Sequence, residues 1–155
     1  MSGEVAERLA RWLATGLGAG FLWPAPGTWG SLLGLALYVF LLSSLSIPLQ
    51  LVGWLSLTLV GTAAAHAAAP SLGGGDPSQV VIDEIAAMWL AAVGTVGGPG
   101  WSLAFVYFRL FDIIKPFPAR RLERWHGGFG IMADDIAAAL YARAGVWLTL
   151  ALWGS

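Results

Sequence analysis

Between Arg11 and Asp76 the chain carries no aspartate, glutamate, lysine or arginine, and this interval holds two apolar runs, Ser31 to Ile47 and Leu49 to Ala69, separated by Pro48. Each run approaches the roughly 20 residues that a helix needs to cross a bilayer core, so the pattern predicts a helical hairpin. Ahead of it, residues Glu4 to Leu17 put Val5, Leu9, Trp12 and Leu13 on one helical face, with Glu4, Glu7, Arg8 and Arg11 on much of the other. That distribution predicts a helix lying in a membrane interface. The apolar stretch from Trp12 to Trp23 is broken by Gly16, Gly18 and Gly20 and ends at Pro24 without a cleavage-like site, so it is expected to stay in the mature protein.

After a polar island from Ser71 to Glu84, Ile85 to Val96 and Trp101 to Phe111 are apolar around Gly97, Gly98, Pro99 and Gly100. Extended back to Ser78 and forward to Lys115, each reaches about 18 residues, close to the spanning length, and a second hairpin is expected. Lys115 to Asp135 is polar again, and Ile136 to Trp153 forms a last apolar run. Two hairpins and one further crossing place the N-terminal helix, the Asp76 island and the Arg109 to Asp135 segment on one side. Arg8, Arg11, Lys115, Arg120, Arg121 and Arg124 share that side, which the positive-inside rule makes cytoplasmic. The expected architecture is a single all-α domain over residues 1–155, a polytopic membrane helical bundle with an N-terminal interfacial helix; an unusually apolar soluble bundle is the alternative.

Composition agrees with lipid as the solvent: 57% of the 155 residues are hydrophobic and 11% charged, outside the usual balance of soluble domains. The formal charge of −1 leaves no basic excess for a nucleic-acid backbone, so no nucleic-acid partner is expected. Cysteine is absent, which removes thiolate chemistry and leaves oxygen or imidazole as the only metal donors.

Four segments on the predicted polar face carry candidate chemistry. In Asp76-Pro77-Ser78-Gln79-Val80-Val81-Ile82-Asp83-Glu84, two adjacent carboxylates open an apolar helix and project about 100° apart. Acidic residues also suit the helix dipole there, yet carboxylates entering a bilayer are costly and mark function. In Phe108-Arg109-Leu110-Phe111-Asp112-Ile113-Ile114-Lys115-Pro116, Arg109 and Asp112 share a helical face, either as a local ion pair or as site residues, and Pro116 should end the helix near Lys115. In Gly127-Gly128-Phe129-Gly130-Ile131-Met132-Ala133-Asp134-Asp135, a glycine turn leads to two acids at the head of the last helix, where N-capping explains one aspartate better than two. In Pro24-Ala25-Pro26-Gly27-Thr28-Trp29-Gly30-Ser31, the start of the first spanning helix offers amides and two hydroxyls suited to phosphate, or else an ordinary cap.

Together these segments supply carboxylates for a hard divalent cation such as magnesium and two cations for phosphate oxygens. The chemistry they suggest is phosphoryl hydrolysis. His66, Arg143 and the nine tryptophans read as packing, pairing or interface residues.

On these four ordered motifs, spanning Gly16 to Ala142, the chain resembles the phosphatidylglycerophosphatase A family. The resemblance implies an all-helical, magnesium-dependent enzyme that removes the terminal phosphate of phosphatidylglycerophosphate in bacterial phospholipid synthesis. Its departures are Ala86-Ala87-Met88-Trp89 after Glu84 and Ala137-Ala138-Ala139 after Asp135, where a glycine is expected in each; they concern packing more than chemistry. The resulting expectation gives the metal to Asp83, Glu84, Asp134 and Asp135. Catalytic roles go to Asp83, Asp112 and Asp134, with Asp112 as a further ligand or base, and an aspartyl-phosphate intermediate stays open. Phosphate contacts go to Gly27, Thr28, Gly30, Ser31, Arg109 and Lys115. The partners are a phospholipid substrate and the lipid bilayer, and the setting is the bacterial inner membrane, multi-pass, with the site on the cytoplasmic side. The rival is a small membrane cation transporter or channel using the same carboxylates.

Overall fold

The computed structural model describes residues 2–153, whose regular structure is entirely helical. In chain order the helices are α1 (Ser2–Ala14), α2 (Pro26–Leu41), α3 (Ile47–Ala68), α4 (Ile82–Ala92), α5 (Gly97–Ile114), α6 (Ala119–Leu122) and α7 (Gly127–Trp153). Short 3₁₀ turns at Ala19–Phe21 and Ala69–Leu72 complete the set.

Helix α4 is the axis of the bundle. All its residues except Glu84 are buried, and α2, α3, α5 and α7 pack around it. Small side chains make this enclosure possible. A β-carbon on Gly34 of α2 would stand 2.9 Å from the Ile85 Cα, and the Trp89 indole donates to the Gly34 carbonyl at 2.9 Å. From α7 come Ala137, Ala138, Ala139 and Ala142, and from α4 Ala86 and Ala87, all buried. The alanines that replace the expected glycines therefore sit in helix contacts rather than in the site.

Much of the outside of the bundle is apolar too. Leu49, Val52, Leu55 and Leu59 of α3 and Trp147, Leu148, Leu152 and Trp153 of α7 are exposed. The segments Ile47–Leu72 and Gly127–Trp153 are long and apolar enough to cross a membrane. On α1, the Val5, Leu9, Trp12 and Leu13 face is likewise turned outward, as an interfacial helix requires.

Three expected boundaries shift. The first hairpin turns between Leu41 and Ile47, and Pro48 falls in the first turn of α3, where a missing N–H leaves no helical bond unmade. The second hairpin is asymmetric: α5 has 18 residues but α4 only 11, about 16 Å of helix, short of a bilayer core of about 30 Å. The cause is local, since the Val81 amide donates to the Ala14 carbonyl at 2.9 Å and commits the preceding residues to docking the end of α1. Third, the last helix begins at Gly127 rather than near Ile136. A β-carbon on Gly128 would collide with the Thr62 carbonyl of α3, so this glycine serves a close helix contact instead of a turn.

At the end of the bundle remote from the acidic motifs, a buried polar cluster joins three elements. The Tyr38 hydroxyl donates to Gln50 Oε1 at 2.9 Å, the Gly94 amide donates to the same oxygen at 2.8 Å, and Gln50 Nε2 donates to the Leu45 carbonyl at 2.8 Å. Between this cluster and the acidic end the core is filled by Ala87, Met88, Phe108, Ala138 and Ala139. Among the described residues the buried polar side chains of α4 and of the loop that follows it are Asp83, at the acidic end, and Thr95, at the far end, which counts against the transporter alternative.

Candidate active site

The acidic end is assembled from the first turn of α4, the first turns of α2, the last turns of α5 and the second and third turns of α7. Asp83 and Glu84 open α4, with Asp83 buried and Glu84 mostly so. Asp135 of α7 comes to meet them: Asp83, Glu84 and Asp135 each place one carboxylate oxygen within 4.8 Å of the others.

Gly27 explains how α2 approaches so closely. A β-carbon there would collide with the Glu84 carboxylate and lie 3.3 Å from Arg109 Nη1. The guanidinium is fixed from two sides, because Nη1 donates to Asp112 Oδ2 at 2.6 Å and to Ser31 Oγ at 3.3 Å, while the Ser31 hydroxyl donates to the Gly27 carbonyl at 2.8 Å. The Arg109–Asp112 ion pair that the i, i+3 spacing allows is therefore present, and it orients Arg109 beside the acidic triad.

Asp134 points to a second cation. Lys115 Nζ donates to Asp134 Oδ2 at 2.7 Å and to Glu123 Oε1 at 3.0 Å. Its backbone caps α5 in the left-handed region with φ of 47°, a conformation that costs a residue with a side chain of order 1 kcal/mol or more. Burial alone would lower the Lys115 ammonium, but its bonds to Asp134 and Glu123 outweigh this and raise it well above the ordinary lysine range. It is a fixed positive charge. In the loop before α4, burial and then the Asp134 carboxylate hold Asp76 above its usual value.

The buried carboxylates are incompletely matched. Asp83 Oδ1, Glu84 Oε2, Asp134 Oδ1 and Asp135 Oδ2 are each buried without a hydrogen-bond partner. A polar atom left so in a fold is costly and rare, and four at one place cannot be explained as helix capping, since Asp134 and Asp135 lie about two turns inside α7. An all-oxygen donor set of clustered carboxylates fits a hard divalent cation. Asp83, Glu84 and Asp135 meet the geometric condition together; Asp134, expected as a fourth ligand, spends one oxygen on Lys115.

The expected phosphate contacts separate into two groups. Gly27, Ser31, Arg109 and Lys115 all touch the site or its supports. Gly30 faces Val81, where a β-carbon would come within 2.7 Å of the Val81 Cβ, and so serves helix packing. The amides of Thr28 and Trp29 both bond to the Ala25 carbonyl, so they are not open donors, and neither Thr28 nor Ser31 caps α2, whose N-cap is Ala25. Sequence reasoning missed Glu123 as the second partner of Lys115. No helical periodicity links residues eight apart across a left-handed lysine and two prolines, Pro116 and Pro118.

Residues 12–150 match the family model described as phosphatidylglycerophosphatase A. A Haemophilus influenzae protein named phosphatidylglycerophosphatase A is 42% identical over 133 residues, covering 84% of this chain and 82% of the relative. The Escherichia coli protein of the same name is 36% identical over 131 residues, 83% of this chain and 76% of the relative. A Bacteroides thetaiotaomicron protein named putative phosphatidylinositol-3-phosphatase is 36% identical over 137 residues, 84% of this chain and 86% of the relative. No solved structure matches the chain. The chain belongs to the phosphatidylglycerophosphatase A family and is a phosphatase.

Proposed function

We propose that the enzyme hydrolyses phosphatidylglycerophosphate to phosphatidylglycerol and inorganic phosphate at the cytoplasmic face of a bacterial inner membrane, with magnesium as its metal. The observation that carries the reading is the convergence of Asp83, Glu84 and Asp135 beside two anchored cations, Arg109 and Lys115. Two relatives are named for phosphatidylglycerophosphate and one for a phosphoinositide; the shared chemistry is a phosphate monoester on a phospholipid headgroup.

Asp83, Glu84 and Asp135 would hold the metal, which when bound supplies Lewis-acid stabilisation of charge on the phosphoryl oxygens. The remaining work belongs to the side chains. Arg109, kept in place by Asp112 and Ser31, offers guanidinium donors to the equatorial oxygens. Lys115, held by Asp134, adds a second fixed charge where negative charge grows in the transition state. The free Asp134 Oδ1 is a position from which a proton could be taken from the attacking water. The absence of a side chain at Gly27 leaves room for Glu84. The exposed apolar faces of α1, α3 and α7 would keep the acyl chains in the bilayer while the headgroup enters.

The test is phosphate release from phosphatidylglycerophosphate by purified protein, with magnesium, with chelator, and with magnesium restored. Activity that disappears with chelator and returns with magnesium is expected, as is its loss in Asp83→Asn and Asp135→Asn. Full activity in both variants would sink the site assignment. A larger rate on a phosphoinositide monophosphate would move the substrate assignment while leaving the chemistry.

A further inference from the structure

The turn between α5 and α7 carries positive charge that the hydrolytic reading leaves unused. Glu123 is the only acidic residue between Asp112 and Asp134, and it is committed to Lys115. The ion pairs among the described residues are Arg109–Asp112, Lys115–Glu123 and Lys115–Asp134, so Arg120, Arg121 and Arg124 have no carboxylate partner there. Arg120 Nη2 reaches only the Ile114 carbonyl, at 3.5 Å, and the Arg121 guanidinium lies 5.1 Å over the Phe117 ring. All three arginines are exposed.

These arginines and Lys115 line an open cavity of about 610 Å³ whose other walls are Ile114, Pro116 and Phe117. The cavity is larger than a bare phosphate needs, and one side of it is apolar. Of its walls, Ile114 and Phe117 are exposed, side chains suited to the level of a bilayer surface. A polybasic segment at that level attracts anionic headgroups, and guanidinium forks match phosphate oxygens in pairs. Lys115 belongs both to this cavity and, through Asp134, to the acidic centre, so an occupant here lies next to the reacting end of the enzyme.

We infer that this cavity binds the phosphodiester of an anionic phospholipid, with Arg120, Arg121 and Arg124 holding the phosphate and Ile114 and Phe117 flanking the glycerol and first acyl carbons. The inference rests on the lipid-phosphatase reading for its membrane setting, but lipid retention needs no turnover. It gives the enzyme a handle on the phosphate it does not cleave.

Native mass spectrometry of the full chain in detergent tests it, using phosphatidylglycerol and phosphatidylcholine of equal chain length, with and without millimolar inorganic phosphate. The unaltered protein is expected to retain phosphatidylglycerol about tenfold over phosphatidylcholine, and R120Q/R121Q/R124Q to lose most of that preference. R8Q/R11Q on α1, which alters basic residues outside this cavity, should keep it. An unchanged preference in the triple variant, or an equal loss in R8Q/R11Q, overturns the site; so does displacement of the lipid by inorganic phosphate, which would mark a free-anion pocket. If the triple variant does not fold, R124Q alone should lower the preference about two- to threefold, and no change in it counts against the site. Loss of lipid preference in the triple variant beside full hydrolysis in Asp83→Asn would remove the catalytic reading and leave this one standing.

Discussion

The two polar ends of the bundle solve opposite problems. At the Tyr38–Gln50 end, the Gln50 side chain accepts twice and donates once, and three elements are tied by bonds of ordinary length. At the Asp83–Asp135 end, four buried carboxylate oxygens have no partner and several negative charges crowd together. Burial is similar at both ends, so burial does not separate structural polarity from functional polarity. Completeness among clustered groups does: the matched Gln50 cluster holds the fold together, whereas the gathered unmatched carboxylates are kept for something that arrives later, and the buried indole N–H groups of Trp54 and Trp101, also without partners, form no such cluster.

Substitutions at the two ends should therefore fail in different ways. The largest effect is expected for Asp83→Asn or Asp135→Asn, with phosphate release falling by about 10³-fold or more, roughly 4 kcal/mol of transition-state stabilisation. Thermal unfolding without metal should hold steady or rise in these variants, because one of several repelling charges is gone. A melting temperature that falls as steeply as the activity would assign the acids to the fold instead. Next, Gln50→Leu strands the Tyr38 hydroxyl, the Gly94 amide and the Leu45 carbonyl, and should cost about 3 kcal/mol in denaturant unfolding with turnover per folded molecule unchanged. A loss of turnover per folded molecule there would erase the contrast.

Lys115→Met frees Asp134 and Glu123 together and should lower phosphate release by about 10²-fold. Raising substrate concentration separates a binding loss from a loss in the chemical step. Gly27→Ala forces a β-carbon against Glu84 and should lower activity by about tenfold, with far less effect on unfolding. Tyr38→Phe is expected to do least, about 1 kcal/mol of stability and nothing to catalysis, since the Gly94 amide still satisfies Gln50 Oε1.

The unmatched end was the more legible in sequence. Paired acids at 83–84 and 134–135, a cation at 109 and another before Pro116 announce themselves by residue type, and the charge-free interval puts them on one face. Less legible were the features set by tertiary contact. The Val81–Ala14 bond shortens α4, and the contact of Gly128 with α3 carries a helix through glycines whose propensity argues for a turn. The roles of Gly30 and Thr28 depended likewise on what α2 touches, not on its being a helix start. The matched end gave no sign at all, because Tyr38, Gln50 and Gly94 are distant in sequence and of common types.

The enclosure of α4 has a bearing on how the enzyme moves. With α2, α3, α5 and α7 around it, the hydrogen-bonded amides of its inner turns should exchange hydrogen only when the whole bundle opens, whereas α6, a single turn of four residues, can open locally. Asp83 and Glu84 are thus mounted at the head of an element expected to open last, and Arg120 and Arg121 on one expected to open early. A headgroup could be gathered by a pliable edge and delivered to an anvil that does not give.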